Sequence, residues 1–543
     1  MFVTIQKYTY VYNDGDVLHV RGIDENGNRV TEFNVDFEPI VWTPLEFSLF
    51  NWKDSIVEQE TKKWKTMIGN KRMNGVRFKN IASCRRFITM TKSFEFDDHG
   101  NRNAKTEVHT APTNEFSNQY ITTKFKDKLH IDMDELKIYS YDIETEVGHR
   151  DVDDDTEVTI RTYRDEHSIE HHDVVTDKMT IAKFEMIPDR DKWELYNPED
   201  GNWVRYDEHP YRYIGGFPDP TKADEKITLI TVKDWKTNKI YTWGINDFNN
   251  TREDVTYFQF KNETELLKHF VEWWSADYPD VMTSWNGSTF DNTYVPKRIS
   301  RVLGSDWSKR LSPFGVIRHR NVDHNEYGDK SVETNWVGIA DLDYLRLYKK
   351  YTYGVRESYR LDDVAHDEVG ARKIPNPTGG SFKDFYTGRF EVYEKPNDDD
   401  HEIKKLGYIR TKLHQRILEN SEDTDSLEKY RMLDEKIVKM CHQLFTEYNI
   451  RDVELIDKID GVQRLIEQIT AVAYLSHCNY EDVFAQTKTW DCMLYHYAHH
   501  NGLVIPIKKG AVKTEKFMGA YCKPPLVGKH EYCVSFDLDS LLN

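Results

Sequence analysis

Alternation of apolar and polar positions dominates the front of the chain. Val17–Ile23 and Arg29–Val35 alternate on either side of Glu25-Asn26-Gly27-Asn28, a hairpin signal, and the first ~100 residues read as β-rich. Lys126–Asp134 leads into an apolar strand at Leu136–Tyr141. From Gly148 to about Tyr213 the residues are polar, acidic and His-bearing with no helical period, as expected of an insertion. Lys226–Val232 and Lys239–Trp243 form a second strand pair, Glu263–Trp274 a helix and Val281–Trp285 a strand. A helix starting at Phe290-Asp291 runs to about Leu303. His401 to about Leu475 is mostly helical, broken at Asn420–Asp425, and Lys488–His500 is amphipathic. Tyr532–Leu538 is a short apolar strand. Strands and helices mixed in this way predict α/β and α+β modules in two or three domains.

Composition changes this picture little. No apolar run reaches membrane-spanning length, and the start, MFVTIQKYTYVYNDGD, lacks a signal-peptide layout, so export is not expected. The six cysteines never form C-x-x-C pairs, which argues against a zinc site or a disulfide frame. Net charge is −19, but acid is concentrated in Asp151–Asp155 and Asp398–Glu402. Basic clusters lie elsewhere, at Lys62-Lys63-Trp64-Lys65, Lys71-Arg72 through Lys79, Arg85-Arg86-Phe87 and Arg318-His319-Arg320. Phosphate contacts are local, so nucleic-acid binding survives the average; solvated faces are the plainer reading.

Three short patterns carry candidate chemistry. In Tyr139-Ser140-Tyr141-Asp142-Ile143-Glu144, strand alternation puts Asp142 and Glu144 on one face, a pair suited to Mg²⁺ or Mn²⁺. Asn286 and Gly287 occupy a loop before Phe290-Asp291, where Asp291 is either a helix cap or a ligand for a second cation, with Asn286 as a polar companion. In Tyr448-Asn449-Ile450-Arg451-Asp452, helical spacing aligns Tyr448 with Asp452. Each is weak alone.

Together, in the order D-x-E, N-x-x-x-F-D, Y-x-x-x-D, they resemble the exonuclease motifs of proofreading DNA polymerases of family B, T-even phage type. Phe217-Pro218-Asp219-Pro220, Leu311-Ser312-Pro313, Tyr348-Lys349-Lys350, Ser358-Tyr359-Arg360-Leu361-Asp362, Lys488-Thr489-Trp490-Asp491 and Gly519-Ala520 resemble landmarks of the same group, in order. The resemblance covers roughly Lys126 to Asn543. It implies an RNase H-like (DnaQ-like) exonuclease domain at 136–465, with insertions near 148–213 and 386–440. It also implies an N-terminal domain at 1–135 completed by 466–508, and the beginning of a polymerase palm at 509–543.

Asp142, Glu144, Asp291 and Asp452 are then the expected ligands of two Mg²⁺ or Mn²⁺ ions. Tyr448 is expected to position water, and Asn286, Phe290, Gly519 and Ala520 to meet substrate. Tyr359 and Asp363 share the Y-x-x-x-D spacing but precede the true motif in this group. Arg372 and Lys373 fall near a phosphate-contacting lysine of the family, and a surface role is favoured for both.

Ser535–Leu541 resembles the first polymerase motif, with Asp537 as an incomplete palm metal site. Leu542 and Asn543 depart from it, and Asp423-Thr424-Asp425 reads as a loop or a helix start rather than a palm motif. Polymerisation is therefore expected only with a complementary C-terminal chain, from a split gene or a longer protein. Expected partners are a single-stranded 3′ DNA end, primer-template DNA, that chain, and RNA through the N-terminal domain; the expected compartment is the cytoplasm of an infected bacterium.

The alternative is a non-catalytic nucleic-acid-binding or scaffold half of a split polymerase, with Trp64, Phe78 and Phe87 stacking on bases; ordinary packing is the plainer reading of those rings. His167, His171 and His172 form a further His-rich group, read as solvated rather than metal-binding.

Overall fold

The computed structural model describes residues 4–91, 93–96, 102–105, 108–109, 116–127, 130–146, 158–164, 170–176, 194–197, 202–205, 218–323, 330–352, 354, 356–419 and 423–506. Its centre is a pair of strands rich in β-branched and aromatic residues, β1 (Ile138–Thr145) and β2 (Ile227–Asp234), buried along nearly their whole length. Burial on both faces is what a strand in the middle of a covered sheet requires.

Four more strands complete this sheet: β3 (Lys239–Gly244), β4 (Val255–Gln259), β5 (Val281–Thr283) and β6 (Ala340–Asp341). The order is β4-β3-β2-β1-β5-β6. Only β2 runs against its neighbours, pairing antiparallel with both β1 and β3. The β3–β4, β1–β5 and β5–β6 pairs are parallel.

Alternation along β1 assigns its two faces. Tyr139, Tyr141 and Ile143 share a core with Leu266, Phe270 and Trp274 of helix α1 (Glu263–Ala276) and with Tyr294 and Ile299 of α2 (Asp291–Leu303). Ser140 and Asp142 turn the other way, toward a 40-residue helix α3 (Thr424–Gln463); Ser140 Oγ lies 3.3 Å from the Val453 carbonyl. Asp423 caps α3 by accepting from Ser426 N at 3.0 Å, so Asp423-Thr424-Asp425 is the expected helix start.

The N-terminal hairpin forms as expected. Asp24 closes its turn by accepting from the backbone N–H groups of Asn26 and Asn28, both at 2.8 Å. Trp64, Phe78 and Phe87 are 1%, 0% and 0% exposed, so none offers a face to a base. Packing, the plainer reading, accounts for them.

Helices Leu465–Ser476 and Gln486–His500 return to this region. Tyr8 donates to the Cys478 carbonyl (2.9 Å), Tyr474 donates to the Tyr8 carbonyl (2.6 Å), and Leu503–Val504 pairs in parallel with Lys65–Thr66. The acidic stretch after β1 contains two hairpins, Val158–Arg164 with Glu170–Thr176 and Glu194–Asn197 with Asn202–Arg205. His171 and His172 lie in the first of these; His167 lies outside the described residues, as do Gly519, Ala520, Asp537 and the Tyr532–Leu538 strand. The four cysteines among the described residues are free and buried. No helix among those residues is long and apolar enough to cross a membrane.

Candidate functional site

Alternation on β1 and helical spacing on α3 meet at one point. Asp142 and Glu144 leave β1 on the face that α3 covers, and Asp452 enters from α3; each offers a carboxylate oxygen within 4.8 Å of the other two. Asn449, one turn before Asp452, is fully buried and donates from Nδ2 to Asp142 Oδ2 at 2.8 Å.

Asp291 stands beside this trio as the first residue of α2. Its carboxylate is buried and lies near those of Asp343 and Asp452. The cap position of α2 is Phe290 and no side chain caps it, so Asp291 does not act as the helix cap.

Crowding and burial raise every acid in the group. Burial lifts Asp142 well above the carboxylate range, helped by Asp291, Asp452 and Glu144. Burial and then Asp452 push Glu144 to about 8; burial, helped by Asp343 and Asp452, pushes Asp291 to about 7. Asp452 is held lower, at about 6, because Lys373 offsets its burial. Like charges gathered out of water cannot all ionise without a positive partner.

Lys373 corrects the expectation of a surface role. Its ammonium lies 2.6 Å from Asp452 Oδ2 and 2.9 Å from the Tyr448 hydroxyl, and 4.9 Å from the Tyr448 ring centre. The physical reason is local: Asp362 accepts from the backbone N of Lys373 (2.7 Å) and from Arg372 (2.7 Å), so the loop pins Arg372 outward and Lys373 inward. Arg372 keeps the expected surface position. Tyr448 is half-buried, and this desolvation, with Asp452 nearby, raises its phenol above its ordinary value. Tyr359 and Asp363 are elsewhere: the Tyr359 carbonyl accepts from Trp285, and Asp363 accepts from Ser358.

The loop before α2 is held by a residue the sequence did not single out. Asp343, 1% exposed, accepts from Ser288 N (3.0 Å), Ser288 Oγ (2.8 Å) and Asn286 N (3.3 Å). Its position just before the helix Tyr344–Tyr351 was readable as a cap, and it does accept from Arg346 N. Asn286 adopts φ 68°, a left-handed conformation that Asn tolerates, and its side chain is exposed. Gly287 has no room for a side chain: a Cβ there would overlap Ser284 Oγ and lie 3.0 Å from Asp291 Oδ2. Phe290 packs on Tyr294, ring centres 5.2 Å apart. Behind β1, Tyr141 donates to Asn292, whose Nδ2 donates to Asp341 at 2.7 Å.

A divalent cation fits this donor set. All three converging ligands are carboxylates, the hard oxygen donors Mg²⁺ and Mn²⁺ favour, and Asp452 Oδ1 is buried without a hydrogen-bond partner.

Comparison with known proteins agrees with the geometry. Residues 206–364 match the family model for the exonuclease domain of family B DNA polymerases. Over that stretch the chain is similar to the exonuclease domain of family B DNA polymerases. The matched stretch includes Asp291, Asp341 and Asp343; Asp142, Glu144, Lys373, Tyr448 and Asp452 lie outside it.

The DNA-directed DNA polymerase of Escherichia phage RB69 is 26% identical over 351 residues, which cover 60% of this chain and 33% of that protein. That of Enterobacteria phage T4 is 26% identical over 350 residues, with the same shares. The DNA polymerase catalytic subunit of Human herpesvirus 7 (strain JI) is 25% identical over 187 residues, 32% of this chain and 17% of its own. The matched stretch thus spans about a third of the phage relatives' length.

Proposed function

We propose that this site removes nucleotides from the 3′ end of single-stranded DNA, as the 3′→5′ proofreading exonuclease of a phage DNA-directed DNA polymerase. The observation that carries the reading is the convergence of Asp142, Glu144 and Asp452 beside Tyr448 and Lys373. A non-catalytic module has no use for buried carboxylates that raise one another's pKa.

In this reading, Asp142, Glu144 and Asp452 would hold a cation and Asp291, with Asp142, would help hold a second. When bound, two such ions supply positive charge to the phosphate and lower the pKa of water. The chain's own groups do the positioning. Tyr448, its hydroxyl fixed by Lys373 and Asp452, orients the attacking water; Lys373 also meets the scissile phosphate. Asn449 keeps the Asp142 carboxylate turned toward α3. Asn286 and Phe290 line the approach of the strand; Gly519 and Ala520 are further substrate-contacting candidates. The products are 5′-mononucleotides.

The same reading divides the chain into an N-terminal domain (1–135 with 466–508), an RNase H-like exonuclease domain (136–465) and a palm beginning (509–543). The strand order with one reversed member, sandwiched between α3 and the α1–α2 pair, supports the middle assignment.

A 5′-labelled single-stranded oligonucleotide tests the proposal. Purified protein with Mg²⁺ should give a shortening ladder that EDTA and Asp142→Ala both abolish. A ladder of unchanged rate from folded Asp142→Ala would refute the site.

A further inference from the structure

A second pocket lies on the same helix as the site. Its cavity of about 450 Å³ is lined by Arg389, Phe390, Arg410, His414, Tyr430 and Asp434, among others, within the range that binds small organic groups. These residues lie outside the stretch matched by the family model.

Tyr430 and Asp434 repeat the Y-x-x-x-D spacing of Tyr448 and Asp452 eighteen residues earlier on α3. Eighteen residues are five turns of 3.6, so both pairs occupy one face of α3, about 27 Å apart. Even the cation is repeated: Arg410 donates to Asp434 at 2.7 Å as Lys373 does to Asp452 at 2.6 Å.

Residues Phe382 to Phe390 run along that face from one pair to the other. Phe382 packs on Tyr448 (5.7 Å between ring centres) and Phe385 on Phe445 (5.4 Å). Gly388 lies so close to α3 that a Cβ would come 2.8 Å from Val438 Cα, and Arg410 donates to the Gly388 carbonyl beside the pocket. Phe382 is 37% exposed, and Arg389 is exposed at the pocket's rim. Tyr430 and His414 place their ring centres 5.6 Å apart inside it. An aromatic surface with a cation at its edge suits a nucleotide, the base stacking while the guanidinium takes the phosphate.

We propose that this pocket holds a nucleotide of the same single strand whose 3′ end occupies the carboxylate site, so that Phe382, Arg389 and Tyr430 mark the strand's path along α3. The inference rests on the exonuclease reading. Over 27 Å a strand stacked at about 3.4 Å per nucleotide has roughly eight residues, so a 4-mer at the site falls short of the pocket and a 12-mer reaches it.

The test measures anisotropy of 5′-fluorescein-labelled dT4 and dT12 on the full chain in EDTA, and cleavage of both in Mg²⁺. Arg389→Glu with Tyr430→Ala should weaken dT12 binding roughly 5- to 100-fold and leave dT4 binding and cleavage unchanged. Tyr430→Phe alone, which keeps the ring, should bind dT12 as the wild type does. Unchanged dT12 binding by the double variant overturns the proposal. So does displacement of dT12 by free dTMP at concentrations that displace no dT4, which would make the pocket a mononucleotide site. Absence of dT4 cleavage by the wild type would instead strike the exonuclease reading, because binding in EDTA is read separately.

Discussion

Lys373→Met should destabilise the metal-free protein in a pH-dependent way. At pH 8 Asp452, held at about 6, is ionised and its carboxylate is 2.6 Å from the ammonium. Asp452 is nearly buried and the Lys373 side chain about a quarter exposed. Removing one partner of a buried pair costs 3–5 kcal/mol, and the partial exposure of Lys373 argues for the lower end, about 3 kcal/mol.

The sign follows from the direction of the shifts. Asp452, Asp291 and Glu144 sit above their ordinary values, so between pH 4 and 8 the native state holds more protons than the unfolded chain. Native stability therefore falls as pH rises through that window, and Lys373 limits the fall. Below about 6 Asp452 is protonated and the pair is gone, so the same substitution should cost about 1 kcal/mol or less at pH 5, a neutral hydrogen bond's worth.

Urea unfolding followed by tryptophan emission would read this, since Trp243 and Trp274 are fully buried against the sheet. Mg²⁺ should recover part of the loss at pH 8 by supplying positive charge to the same carboxylates. Equal losses at pH 5 and pH 8 would refute the reasoning.

Asp142→Asn should raise metal-free stability at pH 8, because it relieves the burial and the repulsion by Asp291, Asp452 and Glu144 that lift this carboxyl, while lowering nuclease activity by about 10³-fold or more; denaturation and ladder assays on one preparation check both. Mg²⁺ binding at pH 7 should release protons, because Glu144, at about 8, and Asp291, at about 7, are wholly or partly protonated there; calorimetry in two buffers of different ionisation enthalpy measures the number, and none released would contradict the shifts. Gly287→Ala should cost about 1–3 kcal/mol as the new methyl displaces Ser284, with weaker Mg²⁺ binding through Asp291, read by thermal unfolding and metal titration. Asp343→Ala should cost about 2–3 kcal/mol by leaving Ser288 N and Asn286 N without their acceptor, measurable by urea unfolding.

How much of this was legible in the sequence depended on periodicity. Asp142 and Glu144 could be placed because a strand repeats every two residues, and Tyr448 with Asp452 because a helix repeats near every four. Glu263–Trp274 and Asp291–Leu303 were readable on the same ground and form as α1 and α2. Lys373 was undervalued because it sits in a loop, where no repeat fixes the direction of a side chain. What turns it inward is a hydrogen bond from its backbone to Asp362, a tertiary fact. Asn449 was passed over between two conspicuous neighbours, although its place one turn before Asp452 put it on the same face. Asp343 serves a loop distant in sequence, and no local pattern announces that. The pocket at Arg389 and Tyr430 needed three separate segments to meet.

The pleat of β1 has a consequence for how this chain can change its length. Tyr139, Tyr141 and Ile143 fill one core while Ser140, Asp142 and Glu144 turn toward α3. Deleting or adding a single residue within β1 would reverse every side chain beyond that point, sending carboxylates into the aromatic core and tyrosines toward the site. The insertion near 148–213 is under no such rule. β1 and β2 are antiparallel neighbours, which a two-residue turn suffices to join, so the sheet sets no upper limit on what lies between them. Codon-by-codon deletion scanning should find positions intolerant through β1, permissive from Gly148 to about Tyr213, and intolerant again near Ala223 and Glu225, which are buried.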